Sequence, residues 1–201
     1  MRIYDISPEI SEKMTVYKDK QEKKPVLYKK TVNDVTETRL SIDTHTGAHI
    51  DAPLHMIPSG KGLEVFPLEA FYGECKVFDL TKIKEKITAD DLKPLNIEEN
   101  DRVIFKTKNS SDSKFNLSFV YLDISGAKYL SEKKIALVGI DALGIERNQS
   151  GHETHKVLLG KKIPILEGLR LKDIKQGNYT LCAFPLKINL DASPVRAVLI
   201  Q

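Results

Sequence analysis

The stretch HTGAHIDAPLH, residues 45 to 55, holds three of the five histidines of a 201-residue chain. His45, His49, Asp51 and His55 are all odd-numbered, so on an extended strand their side chains share one face. Pro53 argues against a helix, because an interior proline removes a backbone donor and clashes with the preceding turn. A straight strand would hold His45 and His55 roughly 33 Å apart at ~3.3 Å per residue, so the side chains converge only if the chain bends. Gly47 and Pro53 are the places for a bend. Neutral imidazole and carboxylate are donors that zinc, manganese or iron accept. Gathered around one point, they make half of a hydrolytic metal site. The bland alternative is a row of polar strand histidines near the surface.

His152 and His155 fall in GHETH. A zinc-protease helix requires histidines at i and i+4 around a glutamate; the spacing here is i and i+3, which excludes it. A Cys2His2 finger is excluded too, because no close cysteine pair precedes the histidines. His155 lies in a segment of helical apolar spacing, and Glu167 follows twelve residues later, near the end of KKIPILEG, which reads as a turn. Singly these are a helix-face histidine and a solvated acid. Beside the first cluster they are the missing donors.

Positioning these groups requires a sheet. Strand-like runs recur at 2–6, 26–32, 37–45, 75–80, 102–107, 135–140, 180–188 and 195–200, rich in β-branched and aromatic residues. Helix signals are fewer: a capping-box start at Thr88, then ISGAKYLSEKK (124–134) and ETHKVLLGKK (153–162) with basic C-terminal ends. The order strand, loop, helix, strand over 102–140 suits a parallel crossover. The class is α/β with a strand-rich front. No repeat or linker interrupts 1–201, which reads as one domain.

Composition narrows the function. Hydrophobic residues at 41% and charged residues at 29% describe an ordinary globular protein. The net charge of +3 comes from dispersed lysines, and the basic stretch 18–30 contains Asp19 and Glu22 and lacks periodic aromatics. It reads as solvated strand and loop, so a nucleic-acid partner is not expected. No apolar run approaches a membrane span and residues 1–10 lack signal-peptide features, so a cytoplasmic protein without membrane association is expected. Cys75 and Cys182 stand alone without CxxC spacing, which excludes a zinc ribbon or redox pair.

The segment HTGAHIDAPLH resembles the HxGTHxDxPxH signature of the metal-dependent cyclase and hydrolase family that includes bacterial kynurenine formamidase (arylformamidase). It departs only at Ala48, where threonine is usual. GKGLEVFPLEAFYGECKVFDL, ALVGIDALGIE, HKVLLGKKIPILEGL and FPLKINLDASPVRAVLI are similar to later family segments in the same order, so the likeness spans nearly the whole chain. The resemblance implies a swivelling β/β/α fold, a homodimer or higher homo-oligomer, and two divalent ions, usually zinc, with manganese in relatives.

Carried over by motif, His45, His49 and Asp51 hold one ion, His155 the second, and Asp51 and Glu167 are shared; His55 matches the acid/base histidine. Two ions would lower the pKa of a bound water toward ~7 and polarise a carbonyl. No organic cofactor is needed. The implied activity is hydrolysis of a small-molecule amide, N-formyl-L-kynurenine to kynurenine and formate in tryptophan catabolism. Opening of an isatin-like lactam, and a metal-binding structural or sensing protein, stand as alternatives. The chain has no tryptophan where the family places a pocket-lining one; Tyr17 stands near that position and could stack on an aryl substrate. Gly144 occupies a position where serine is common. Asp141, Lys187, Asp191 and Arg196 lie in family-like segments, where strand-end salt bridges account for them equally well.

Overall fold

The computed structural model describes residues 1–201. The chain begins with β1 (Ile3–Asp5), then a hairpin of β2 (Val26–Val32) and β3 (Val35–Ser41), then β4 (His49–Asp51) and β5 (Tyr72–Asp79). After β6 (Lys86–Ile87) come α1 (Ala89–Leu92), β7 (Arg102–Lys106), β8 (Tyr121–Leu122) and α2 (Ile124–Glu132). The rest comprises β9 (Leu137–Ile140), α3 (Glu153–Gly160), β10 (Ile165–Glu167), β11 (Gly177–Cys182), β12 (Ala192–Pro194) and β13 (Val198–Ile200).

Nine strands form one mixed sheet in the order β1-β13-β11-β5-β7-β9-β10-β4-β12. Its centre, β5 to β10, is parallel, and both flanks are antiparallel. Parallel strands are covered on both faces and read as apolar runs; all four residues of β9 are buried, as are Val103 to Phe105 of β7. One cluster of 42 buried apolar residues runs through the protein. The strand-rich α/β class expected from the sequence is the one observed. No helix is long and apolar enough to cross a membrane.

Local chemistry explains the elements that form. Thr88 and Asp91 make a reciprocal capping box on α1, and Asp123 caps α2 by accepting from the Ser125 and Gly126 amides. The crossover over 102–140 is β7, α2, β9, with β7 and β9 parallel. The hairpin turns on Asn33 and Asp34, both at positive φ, as a two-residue turn between right-twisted strands demands. All fourteen of its strand residues are exposed, including Leu27 opposite Leu40.

Several boundaries differ from expectation. The strand expected over 37–45 ends at Ser41, because a turn closed by the Thr46 amide on the Asp43 carbonyl follows. The turn expected at KKIPILEG forms at Lys161 and Lys162, and the rest of the segment includes β10, a buried three-residue strand. Residues 183–188 leave the sheet after β11, and residues 195–197 precede β13. Cys75 is buried in β5 and Cys182 partly buried in β11, both unbridged.

The bend expected at Gly47 occurs, at φ +71. Gly168, directly after β10, has φ +73, and a Cβ there would lie 2.3 Å from the Gly47 carbonyl oxygen. Only glycine allows β10 to approach the loop that carries His45 to His49. Gly168→Ala is expected to cost more than about 1 kcal/mol, lowering the melting temperature by at least roughly 2–4 °C in a calorimetric comparison.

Candidate metal centre and its cleft

Antiparallel pairing of β4 with β10 sets the floor of the site by placing His49 directly opposite Glu167. His49 and Asp51, two residues apart on β4, face the same way. His45 arrives from the turn before β4. His55 arrives from the 3-10 turn Pro53–His55, whose proline supplies the second expected bend. His155 comes from the first turn of α3, about a hundred residues later. The five residues proposed by motif as ligands, and His55, therefore converge.

The distances describe a closed constellation. His49 Nε2 lies 3.5 Å from Asp51 Oδ1 and 3.3 Å from Glu167 Oε2. His155 Nε2 lies 3.5 Å from both Asp51 Oδ2 and Glu167 Oε1. Glu167 thus faces two imidazoles and Asp51 three. His45 Nδ1 is 2.9 Å from Asp51 Oδ1. The His55 ring centre is 4.1 Å from that of His45 and 5.6 Å from that of His155.

Acceptors outside this ring hold the imidazoles in place. His49 Nδ1 donates to the Gly47 carbonyl at 2.9 Å, and His45 Nε2 bonds Asp191 Oδ2 at 2.9 Å. His155 Nδ1 meets Glu146 Oε1 at 2.5 Å. Glu167 also accepts from the Ile145 amide. Fixing the far nitrogen of each ring in this way determines which nitrogen points inward.

Asp51 is 0% exposed and Glu167 3%, yet their only basic partners are imidazoles. Buried carboxylates without compensation are costly. Burial alone would raise their pKa values, but the charge of His45 and the nearby His155 ring hold Asp51 well below the usual carboxylate range; His155 and His49 draw Glu167 down to about 2. Reciprocally, burial disfavours the charged forms of His45 and His155. The Asp51 carboxylate nevertheless brings His45 up to about 9, and Asp51, Glu146 and Glu167 raise His155 well above its ordinary value. The constellation demands positive charge at its centre.

A divalent ion fits that demand. His49 Nε2 and both Asp51 oxygens are buried without any hydrogen-bond partner. Such orphaned atoms are costly unless something satisfies them. Imidazole and carboxylate are the donor set of zinc and manganese. The donor atoms of His45, His49 and Asp51 lie within 4.8 Å of one another, as do those of Asp51, His55 and His155.

The constellation opens into a cleft of about 890 Å³, lined by Tyr17, His45, His55, Met56, Gly144 and Arg147 among others. Tyr17 is on the wall as expected for an aryl contact, its ring packed edge-on against Phe115 at 5.0 Å. The four weaker candidates separate. Asp191 joins the site through His45; Asp141 is buried among hydrogen bonds from Thr107 and Ser110; Arg196 pairs with exposed Asp5; Lys187 is exposed without an ion pair. A salt-bridge explanation therefore holds for exposed Arg196, while the ion pair of Asp191 is with a residue of the site, His45. Sequence reasoning missed Glu146, whose only signal was its place in ALVGIDALGIE.

Residues 4–147 match the Cyclase family, described as "Putative cyclase". The chain belongs to that family. It is 33% identical over 206 residues to the kynurenine formamidase of Salinibacter ruber, covering 99% of this chain and 97% of the relative. A predicted metal-dependent hydrolase from Bacillus stearothermophilus superposes with a TM-score of 0.91 at 48% identity, covering 98% of this chain and 97% of the other. Isatin hydrolase A of Labrenzia aggregata shares the fold, with a TM-score of 0.84 at 23% identity over 98% and 93% of the two chains.

The charge arrangement predicts how chelator-treated protein responds to pH. Glu167, lowered from 4.5, stabilises the fold above 4.5 and loses that contribution as pH falls toward 2. His45, raised from 6.5, stabilises fully below 6.5 and loses that contribution as pH rises through about 9. Thermal unfolding in chelator is expected to show greatest stability between about pH 4.5 and 6.5. Added zinc should restore at pH 9 what deprotonation removes.

Proposed function

We propose that this chain is a metal-dependent hydrolase of non-peptide C–N bonds, and that its substrate is an aryl formamide, N-formyl-L-kynurenine. The observation that carries the reading is the convergence of Asp51 and Glu167, buried and facing only imidazoles, at the floor of an open cleft. In this reading His45, His49 and Asp51 hold one divalent ion, His155 holds a second, and Asp51 and Glu167 are shared. Zinc, or manganese in its place, supplies Lewis acidity that activates water and polarises the formyl carbonyl. The kynurenine formamidase relative supports the choice of substrate.

The chain's own residues supply the proton chemistry. Burial holds His55 below its ordinary pKa against the opposing pull of Asp51. It is therefore neutral near pH 7 and able to take a proton from the attacking water. It returns that proton to the departing aryl nitrogen as the C–N bond breaks, leaving an amine and formate. Tyr17, whose hydroxyl is kept protonated by burial and nearby Glu167, offers a ring face to the aryl group.

His55→Ala is expected to lower turnover about 10²–10⁴-fold while metal content is retained. Elemental analysis alongside an assay of N-formylkynurenine and a lactam panel checks both halves. Loss of metal together with activity would make His55 a ligand, and turnover of lactams alone would replace the substrate.

We also propose that the protein works as a single cytoplasmic domain in a homodimer. The exposed hairpin β2–β3 supports the dimer, because an isolated two-stranded ribbon is marginal in water and Val26, Leu27, Tyr28, Val32, Val35 and Leu40 lie uncovered on it. Light scattering should give twice the chain mass, and Leu27→Thr with Leu40→Thr, which keeps strand propensity, should shift the protein toward monomer. A wild-type monomer would overturn the assembly.

A further inference from the structure

Glu146 is a buried acid that the reaction scheme does not use. Its side chain is 3% exposed. Oε1 meets His155 Nδ1 at 2.5 Å and lies 3.4 Å from His152 Nδ1; Oε2 accepts from the Thr154 amide at 3.1 Å. Arg147 next to it turns away, to the Phe119 carbonyl and the Tyr121 ring. A carboxylate taken out of water needs partners, and the bonded ones are the His155 imidazole and the Thr154 amide in the first turn of α3, with the His152 ring nearby but not hydrogen-bonded.

The geometry points to Glu146 as the residue that positions His155 for the second ion. This rests on the reading of the site as a two-ion centre. A histidine ligand must be neutral with its lone pair toward the metal, so its remaining proton belongs on the other nitrogen. Glu146 accepts at Nδ1, which leaves Nε2 facing Asp51 and Glu167, 3.5 Å from each. By accepting from the Thr154 amide as well, the same carboxylate fixes the turn that carries the ring.

The carboxylate accepts at both oxygens, and glutamine cannot reproduce that. If its oxygen faces Thr154, its amide N–H₂ confronts His155 Nδ1 and drives the proton to Nε2, where the lone pair belongs. If its oxygen faces His155, the Thr154 amide loses its acceptor. Aspartate keeps two accepting oxygens but is one methylene shorter, so Glu146→Asp should recover part of what Glu146→Gln loses. His45 and His49 take their outer bonds from Asp191 and the Gly47 carbonyl, so the effect belongs to one ion of the two.

The test is zinc titration of chelator-stripped protein by calorimetry against a competing chelator, with ring-nitrogen NMR of the zinc-loaded forms. Wild type is expected to take two zinc ions per chain, with the His155 proton on Nδ1. Glu146→Gln should weaken one ion about 10–100-fold, leave the other within error, and lose the Nδ1–H signature; Glu146→Asp should fall between. Wild-type affinity for both ions in Glu146→Gln, or equal weakening of both, would overturn the inference. Should Glu146→Gln fail to fold, Glu146→Asp with both ions and the ring signature unchanged would do the same. A wild type that takes no zinc would instead sink the two-ion reading itself.

Discussion

Two carboxylates buried side by side with no lysine or arginine to answer them set the terms for the rest of this structure. Desolvating one such group costs several kcal/mol even after relaxation, and a pair adds mutual repulsion. The chain meets the cost with imidazoles, which can carry protons or present lone pairs to a cation. That choice makes the centre able to exchange protons for metal. A lysine in the same place would have satisfied the charge permanently and closed the site.

Holding such a pair requires a frame that does not relax. β4 is only three residues long, yet it lies between β10 and β12 and bonds on both edges. The bracket extends beyond the strands. The Val195 amide donates to the Ala48 carbonyl, the Ala52 amide to Asp191, and the Gly168 amide to Ala142. Two segments, 165–167 and 191–195, are therefore tied directly to the strand that bears His49 and Asp51, and residue 142 is tied to the end of the first. Burial of all three β4 residues turns those hydrogen bonds into fixed geometry.

The donors were legible because their chemistry and spacing are local properties. One parity for His45, His49, Asp51 and His55, with glycine and proline as bend points, described the first half of the centre in outline. The second half was legible only through resemblance, since nothing in the types of His155 and Glu167 says that α3 and β10 bring them to β4. β10 shows why. Two apolar residues and Glu167 between Pro164 and Gly168 carry no measurable period, and turn residues at both ends dominate the reading. The same limit hid Glu146, since an acid in an irregular segment reads as solvated until the fold buries it. The overall class was easier to read, because β7 and β9 are long enough apolar runs to declare a covered parallel sheet.

The segment from Leu143 to Arg147 ties the cleft wall to the metal floor. A Cβ at Gly144 would sit 2.9 Å from the Glu146 carbonyl oxygen and 3.9 Å from the Tyr17 ring. A serine at that position would therefore have to displace the backbone of Glu146, whose carboxylate holds His155, or alter the path of the segment. The Ile145 amide between them donates to Glu167. Substitution in this wall thus changes the space beside Tyr17 and the placement of both donors at once. Pocket shape and donor placement cannot vary independently here, because one short segment carries Gly144 beside Tyr17, the Ile145 amide on Glu167 and the Glu146 carboxylate on His155.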